Sequence, residues 1–254
     1  MEALDKQDPQ PQQGSLAFFT FLVLVIQCVG LTAVILVAVW MGHYRGGFDW
    51  GPDNPSKEFN YHPVFMVIGM IFLYSDAILA YRVFRNVKKT YSKVVHGAIH
   101  IGALLFSAVG LKAVFDSHNY AKPPIPNLYS LHSWLGLAAV ILYGIQWLSG
   151  FVAFAFPSLS LGAKKLYMPH HVFWGVAILC LATGAALMGI TEKALFTNCF
   201  TKNFHYSALP SEGLVINFLG VAIVVLVALV IYVVTRPEYK RQPSPDEEHI
   251  QLVG

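Results

Sequence analysis

The chain has 254 residues, of which 56% are hydrophobic and 12% charged, against roughly 25% charged in an ordinary water-soluble domain. That composition excludes a soluble globular fold. With a formal net charge of +3 and basic residues scattered through short loops, it also leaves no electrostatic footprint for a nucleic-acid partner.

Six apolar stretches reach the length of about 20 residues that a helix needs to cross the hydrocarbon layer. The first, Leu16 to Trp40, follows a Gln/Pro-rich tail; it is too long for a signal peptide and ends in Trp40 and His43, so a retained helix is expected. The second runs from about Phe59 to Tyr81, the third from Val94 to Leu111 or slightly beyond, and the fourth from Leu131 to about Phe156. Pro169 to Ile190 makes the fifth and Gly213 to Thr235 the sixth. The runs are continuous instead of alternating, which favours helices over a barrel, since either must satisfy every backbone amide within lipid. The expected architecture is all-α: an N-terminal tail 1–15, a six-helix membrane domain 16–236 and a C-terminal tail 237–254.

Basic residues orient the chain. With the N-terminus in the cytosol, Lys6, Arg82, Arg85, Lys88, Lys89, Lys93, Lys164, Lys165, Arg236, Lys240 and Arg241 share one face, leaving Arg45, Lys57, Lys112, Lys122, Lys193 and Lys202 on the other. The excess favours both termini in the cytosol. Cys28 and Cys180 fall in spans and Cys199 stands alone outside, so no intrachain disulfide framework can form on that side. No C-x-x-C-H sequence is present, so any haem would be held non-covalently.

The histidines carry most of the information. His62 opens the second span at its outer end, His96 the third at its inner end, His132 the fourth outside and His171 the fifth inside. If spans two to five form a sequential up-down bundle, two and four are diagonal neighbours, as are three and five. Each diagonal then opposes two imidazoles across the bundle centre, the arrangement by which haem iron is ligated from both sides. Two haems follow, one near each face. First-turn positions would also keep the imidazoles neutral. Gly136 and Gly175, four residues after His132 and His171, are candidates for admitting a porphyrin edge. His100 shares a face with His96, and His170 adjoins His171, so the inner ligands stay open by spacing alone; His43, His205 and His249 fall in loops or tails. A zinc or proton transporter could use the same histidines without haem, but would show a polar path through the midplane.

At these residues the chain resembles the cytochrome b561 family of ascorbate-dependent transmembrane electron carriers. The matching segments are Phe59-Asn60-Tyr61-His62-Pro63, Tyr81 to Asn86, Val95-His96-Gly97, Asn127 to Trp134 and Met168-Pro169-His170-His171. Similarity runs from roughly Phe18 to Arg241, most like the chromaffin-granule, secretory-vesicle type, with the duodenal ferric reductase a close relative. The resemblance implies two b-type haems. It makes His96 and His171 the axial ligands of the inner one and His62 and His132 those of the outer one. It places Arg82, Lys89 and Lys93 in the cytosolic propionate and ascorbate region. Phe115, His118 and Asn127 fall to the outer acceptor pocket, and Asn127, Leu128, Tyr129, Ser130 and Glu192 to the haem surround. Lys164 stands where relatives generally have Arg, losing a planar fork that grips an enediolate through two bonds.

The resemblance further implies a reductase drawing on cytosolic ascorbate and delivering to monodehydroascorbate, with ferric chelate as the alternative acceptor. It implies a homodimer in a secretory-vesicle membrane, with plasma and lysosomal membranes as alternatives. Asp76, within the second span, is expected to be solvated or paired with a nearby base. Asp246, Glu247 and Glu248 read as a solvated tail.

Overall fold

The computed structural model describes residues 13–155, 159–198 and 206–242. The expected readings for both extreme tails, and for Lys6, Phe156, Cys199, Lys202, His205, Asp246, Glu247, Glu248 and His249, lie outside the described residues. Among the described residues, six helices are long and apolar enough to cross a membrane. They are α1 (Gln13–Val39), α2 (Pro55–Val83), α3 (Lys89–Tyr120), α4 (Leu131–Phe154), α5 (Leu161–Asn198) and α6 (Ser211–Thr235). The protein is a polytopic all-α membrane protein.

Helices outrun the apolar stretches that announce them. The third was expected from Val94 but starts at Lys89 and continues to Tyr120; the fifth, expected from Pro169, begins at Leu161. Lysine, threonine and serine interrupt hydropathy without interrupting backbone hydrogen bonds, and lysine stems can lie along apolar surface while the ammonium reaches water. His96 therefore sits seven residues inside α3 and His171 ten inside α5. The expectation that four successive helices open with histidine holds only for His132, the second residue of α4; His62 lies seven residues after Pro55, as far into α2 as His96 is into α3. The helix-dipole argument, which fades beyond the first turn, therefore extends to His132 alone.

Helices α2 and α3 pack as one antiparallel hairpin, α4 and α5 as another; α3 also touches α4, and α2 touches α5. This closes a four-helix ring with α2 opposite α4 and α3 opposite α5. Helices α1 and α6 pack on each other beside it, burying Ile26, Trp40 and Met41 with Leu219, Ile223 and Leu226. Helix α2 carries a π-helical segment, Val67–Leu73. There its backbone meets α3 so closely that a Cβ on Gly69 would stand 2.9 Å from the Ala103 carbonyl oxygen.

Several polar groups in or beside the spans find partners on other segments, as a lipid setting favours. The buried Glu212 accepts from Trp40 Nε1 at 2.8 Å and forms an ion pair with Arg45. Asn60 donates to the carbonyls of Gly47 (2.7 Å) and Arg45 (3.0 Å), anchoring the first loop beside α2. Asp76 accepts from Gln27 of α1 at 2.6 Å, so its partner is an amide, not the expected base.

Gly69→Val is expected to force α2 and α3 apart at a cost of about 1–3 kcal/mol, lowering the thermal unfolding midpoint in detergent. Gly102→Val, whose Cβ would have its nearest neighbour 3.8 Å away at Leu73, should leave the midpoint within error.

Candidate functional site

The four histidines form two pairs across the diagonals of the ring. His62 of α2 faces His132 of α4, with ring centroids 6.2 Å apart and planes at 77°; His96 of α3 faces His171 of α5 at 6.3 Å and 68°. A metal–imidazole bond is about 2.0–2.1 Å long, so each pair of rings leaves room for one metal ion between them.

Each ring is held by the other helix of its own hairpin. His62 donates from Nδ1 to the Gly110 carbonyl of α3 at 3.0 Å, and His96 donates to the Ala77 carbonyl of α2 at 2.7 Å. His132 donates to the Ala185 carbonyl of α5 at 2.7 Å. A proton on Nδ1 leaves Nε2 as the free, lone-pair nitrogen, the tautomer that metal ligation needs. His171 is held differently: the Gln146 side-chain amide of α4 donates to the His171 backbone carbonyl at 2.6 Å, with its nitrogen 3.1 Å from His171 Nδ1.

Two glycines make room for the rings. A Cβ on Gly189 of α5 would stand 2.5 Å from the His132 ring, and one on Gly150 of α4 would stand 2.8 Å from the His171 ring. These are cradles that any larger residue would fill. Gly136 and Gly175, expected to admit a porphyrin edge, do not touch the histidine rings in this way. Gly136 lines the outer cavity but would have Ala185 at an ordinary 3.8 Å, and Gly175 would have Gln146 at 3.7 Å.

The outer pair opens into a largely apolar cavity of about 440 Å³. Phe115, His118, Asn127, Leu128, Tyr129, Ser130 and Glu192 all line it beside His62 and His132, so the sequence-expected outer residues converge. His118 Nδ1 bonds Asn127 Oδ1 at 3.0 Å, and Asn127 donates to Asn119 at 3.0 Å. Ser130 caps α4 through a reciprocal bond with Ser133 and donates to Glu192 of α5 at 3.1 Å. Leu128 adopts φ of 56°, turning the chain sharply into α4.

At the inner end Lys93, Lys89 and Lys164 are near enough to repel one another, though they come from α3 and α5. Lys93 donates to the Phe154 carbonyl at the end of α4 at 2.8 Å, and the Phe154 ring lies 5.3 Å from His171. The Arg82 guanidinium donates to the Val234 carbonyl, tying α2 to α6. His100 is buried, with Nδ1 2.6 Å from the Tyr143 hydroxyl and its ring edge-on to His96 at 4.4 Å. It neighbours the inner pair without facing His171 across the ring. His170 is exposed beside the half-buried His171.

The family model for eukaryotic cytochrome b561 matches residues 61–197, the span that holds all four paired histidines. The chain is 43% identical over 242 residues to the transmembrane ascorbate-dependent reductase CYB561 of Sus scrofa, covering 95% of this chain and 91% of that protein. The chain belongs to the cytochrome b561 family. Its human relative of the same name is 44% identical over 91% of this chain and 89% of that protein. The lysosomal membrane ascorbate-dependent ferrireductase CYB561A3 of Bos taurus is 41% identical over 91% and 86%. A b-type cytochrome carries haem b, and the residues here fit it: two pairs of imidazole rings with centroids 6.2 and 6.3 Å apart, three of the rings donating from Nδ1 to a carbonyl, with glycine cradles and an apolar wall.

Gln146, Gly150 and Gly189 were not visible as site residues in the sequence, because each acts on a histidine of another helix. Gly150→Val and Gly189→Val are each expected to cut haem content per chain, measured by absorbance on purified protein. Gly184→Val, whose Cβ would meet nothing within 4 Å, should retain it.

Proposed function

We propose that this cytochrome b561 carries single electrons from cytosolic ascorbate across the membrane to monodehydroascorbate on the far side. The observation that supports this is the pair of imidazole couples, His96/His171 and His62/His132, at opposite ends of one four-helix ring and each with room for one metal ion between its rings. Two non-covalent haems b, each with two axial histidines, would supply one-electron ferric/ferrous couples at two depths. Every other role belongs to the protein.

On the inner side, ascorbate gives up one electron and one proton to become monodehydroascorbate. Lys89, Lys93 and Lys164 gather positive charge beside the His96/His171 couple, which suits an anionic reductant. Lys93 spends one N–H on Phe154 and keeps the other two for substrate. With Lys164 replacing the family arginine, the enediolate meets three separate ammonium groups instead of a fork. Arg82 would serve here by fixing the end of α2 against α6.

On the outer side the acceptor radical takes one electron and one proton and returns to ascorbate. His118, aligned by Asn127, would donate the hydrogen bond or the proton, and Phe115 would wall the pocket. Ser130 and Glu192 pin α4 to α5 beside His132. With two histidines to hold each haem, the protein would offer oxygen or substrate no free position at the iron, and the haems would supply outer-sphere one-electron transfer. Ferric chelate is the alternative acceptor, favoured by the nearly equal identity to the bovine ferrireductase. Among the described residues no three His, Cys, Asp or Glu side chains converge as around zinc, which weighs against a haem-free zinc transporter. The proposal places both termini in the cytosol and a homodimer in a secretory-vesicle membrane, with lysosomal and plasma membranes as alternatives.

The test uses protein reconstituted in vesicles, with ascorbate on the side of the Lys89 cluster and monodehydroascorbate or ferric citrate inside. Inward electron delivery to monodehydroascorbate is expected, and delivery to ferric citrate alone would redirect the acceptor. His62→Ala and His132→Ala should remove one spectral component, and His96→Ala and His171→Ala the other. Retention of both in His171→Ala would move the inner ligand elsewhere. Replacing Lys89 and Lys93 by Gln should slow reduction by ascorbate at least tenfold while leaving dithionite reduction unchanged; equal slowing of both would remove their substrate role.

A further inference from the structure

Lys193 of α5 is the sole lysine or arginine among the residues that line the outer cavity. Its ammonium lies 3.9 Å above the centre of the Phe59 ring. That ring runs parallel to the His118 imidazole, with centroids 6.5 Å apart and planes at 9°, and lies 5.9 Å from His62. The ammonium is thus fixed where the acceptor-facing histidine and the outer imidazole couple meet.

The carboxylates near it are committed elsewhere. Glu192, its neighbour in sequence, is turned toward the Ser130 hydroxyl. Glu212 is held by Arg45 and Trp40. Among the described residues the Lys193 ammonium makes no ion pair or hydrogen bond; it rests on an aromatic face, within electrostatic reach of Glu212 and Arg45. A cation over a ring is fixed in place but keeps donors free, and in an apolar wall its attraction for an anion is far stronger than in water.

We infer that Lys193 is the anion-binding residue of the outer cavity, taking a carboxylate or enolate oxygen. The inference rests on reading this cavity as the electron exit and deepens it by naming what selects the acceptor. The same oxygen chemistry has two sources, the acceptor itself or a porphyrin carboxylate. A lysine suits either: its compact ammonium pivots on a flexible stem, so one end can stay over Phe59 while the donors follow the ligand.

The test reconstitutes the full chain in vesicles, drives it with ascorbate, and places either ferricyanide, an anion, or hexaammineruthenium(III), a cation, on the outer-cavity side. If the acceptor is the anion bound, Lys193→Gln raises KM for ferricyanide on the order of tenfold, with kcat nearly kept and KM for hexaammineruthenium unchanged or lower. If the anion is a porphyrin carboxylate, Lys193→Gln instead lowers the midpoint potential of the outer centre or its haem content, and both KM values stay put. Lys193→Arg keeps the charge and should stay close to wild type; Lys122→Gln, outside the cavity, should match wild type throughout. Lys193→Gln with haem content, outer potential and both KM values all within twofold of wild type would overturn the inference. So would Lys193→Arg shifting them as far as Lys193→Gln does, a comparison that stands even where the glutamine variant assembles poorly. Wild-type protein that binds no haem or passes no electron to either probe would instead defeat the reading of the cavity, before any variant is compared.

Discussion

Everything in this molecule depends on holding two imidazoles a fixed distance apart, twice, with no water available to tune their position. In lipid the only rigid acceptors at hand are backbone carbonyls of neighbouring helices, and three of the four rings use one: Gly110 for His62, Ala77 for His96 and Ala185 for His132. The bond does two jobs. It fixes the ring plane, and it places the proton on Nδ1 so that Nε2 is left to bind metal. Because the carbonyl always comes from the other helix of the same hairpin, each hairpin builds half of both sites. Closing the ring brings the halves together.

The two ends then diverge. The outer end is a largely apolar cavity in which His118, Asn127, Ser130 and Glu192 are hydrogen-bonded, while the inner end carries a cluster of lysines. On the proposed route an anionic reductant would be drawn to the inner end by charge, whereas an outer acceptor would meet aromatic rings and one lysine. The fourth histidine marks the same asymmetry, since His171 leans on the side chain of Gln146 and not on a main-chain carbonyl. A side-chain partner can be altered by substitution without moving the helix.

Much of this was legible in the sequence, and the failures have physical reasons. Histidines at alternating ends of successive spans, joined by short loops, sufficed to set His62 opposite His132 and the inner histidines of α3 opposite those of α5, because an up-down ring has only two diagonals; the choice of His96 over His100 and of His171 over His170 rested on the family resemblance. Helix lengths were misjudged at α3 and α5 because hydropathy measures the hydrocarbon layer, whereas backbone hydrogen bonding continues into the interface. The ring cradles escaped the sequence for a related reason. Gly136 and Gly175 were read along their own helices as room for a porphyrin edge, whereas space for a histidine ring is made by the helix it leans against, at Gly189 and Gly150. Sequence periodicity within one helix carries no information about that partner. Asp76 likewise found Gln27 on α1, a neighbour that only the assembled bundle supplies.

The most direct test of the account is the haem and iron stoichiometry of purified, folded protein, read together with low-temperature electron paramagnetic resonance of its oxidised form. Two haems per chain, both low-spin with two imidazole ligands, are expected. One haem per chain, or a high-spin centre with an open axial position in the intact protein, would contradict it.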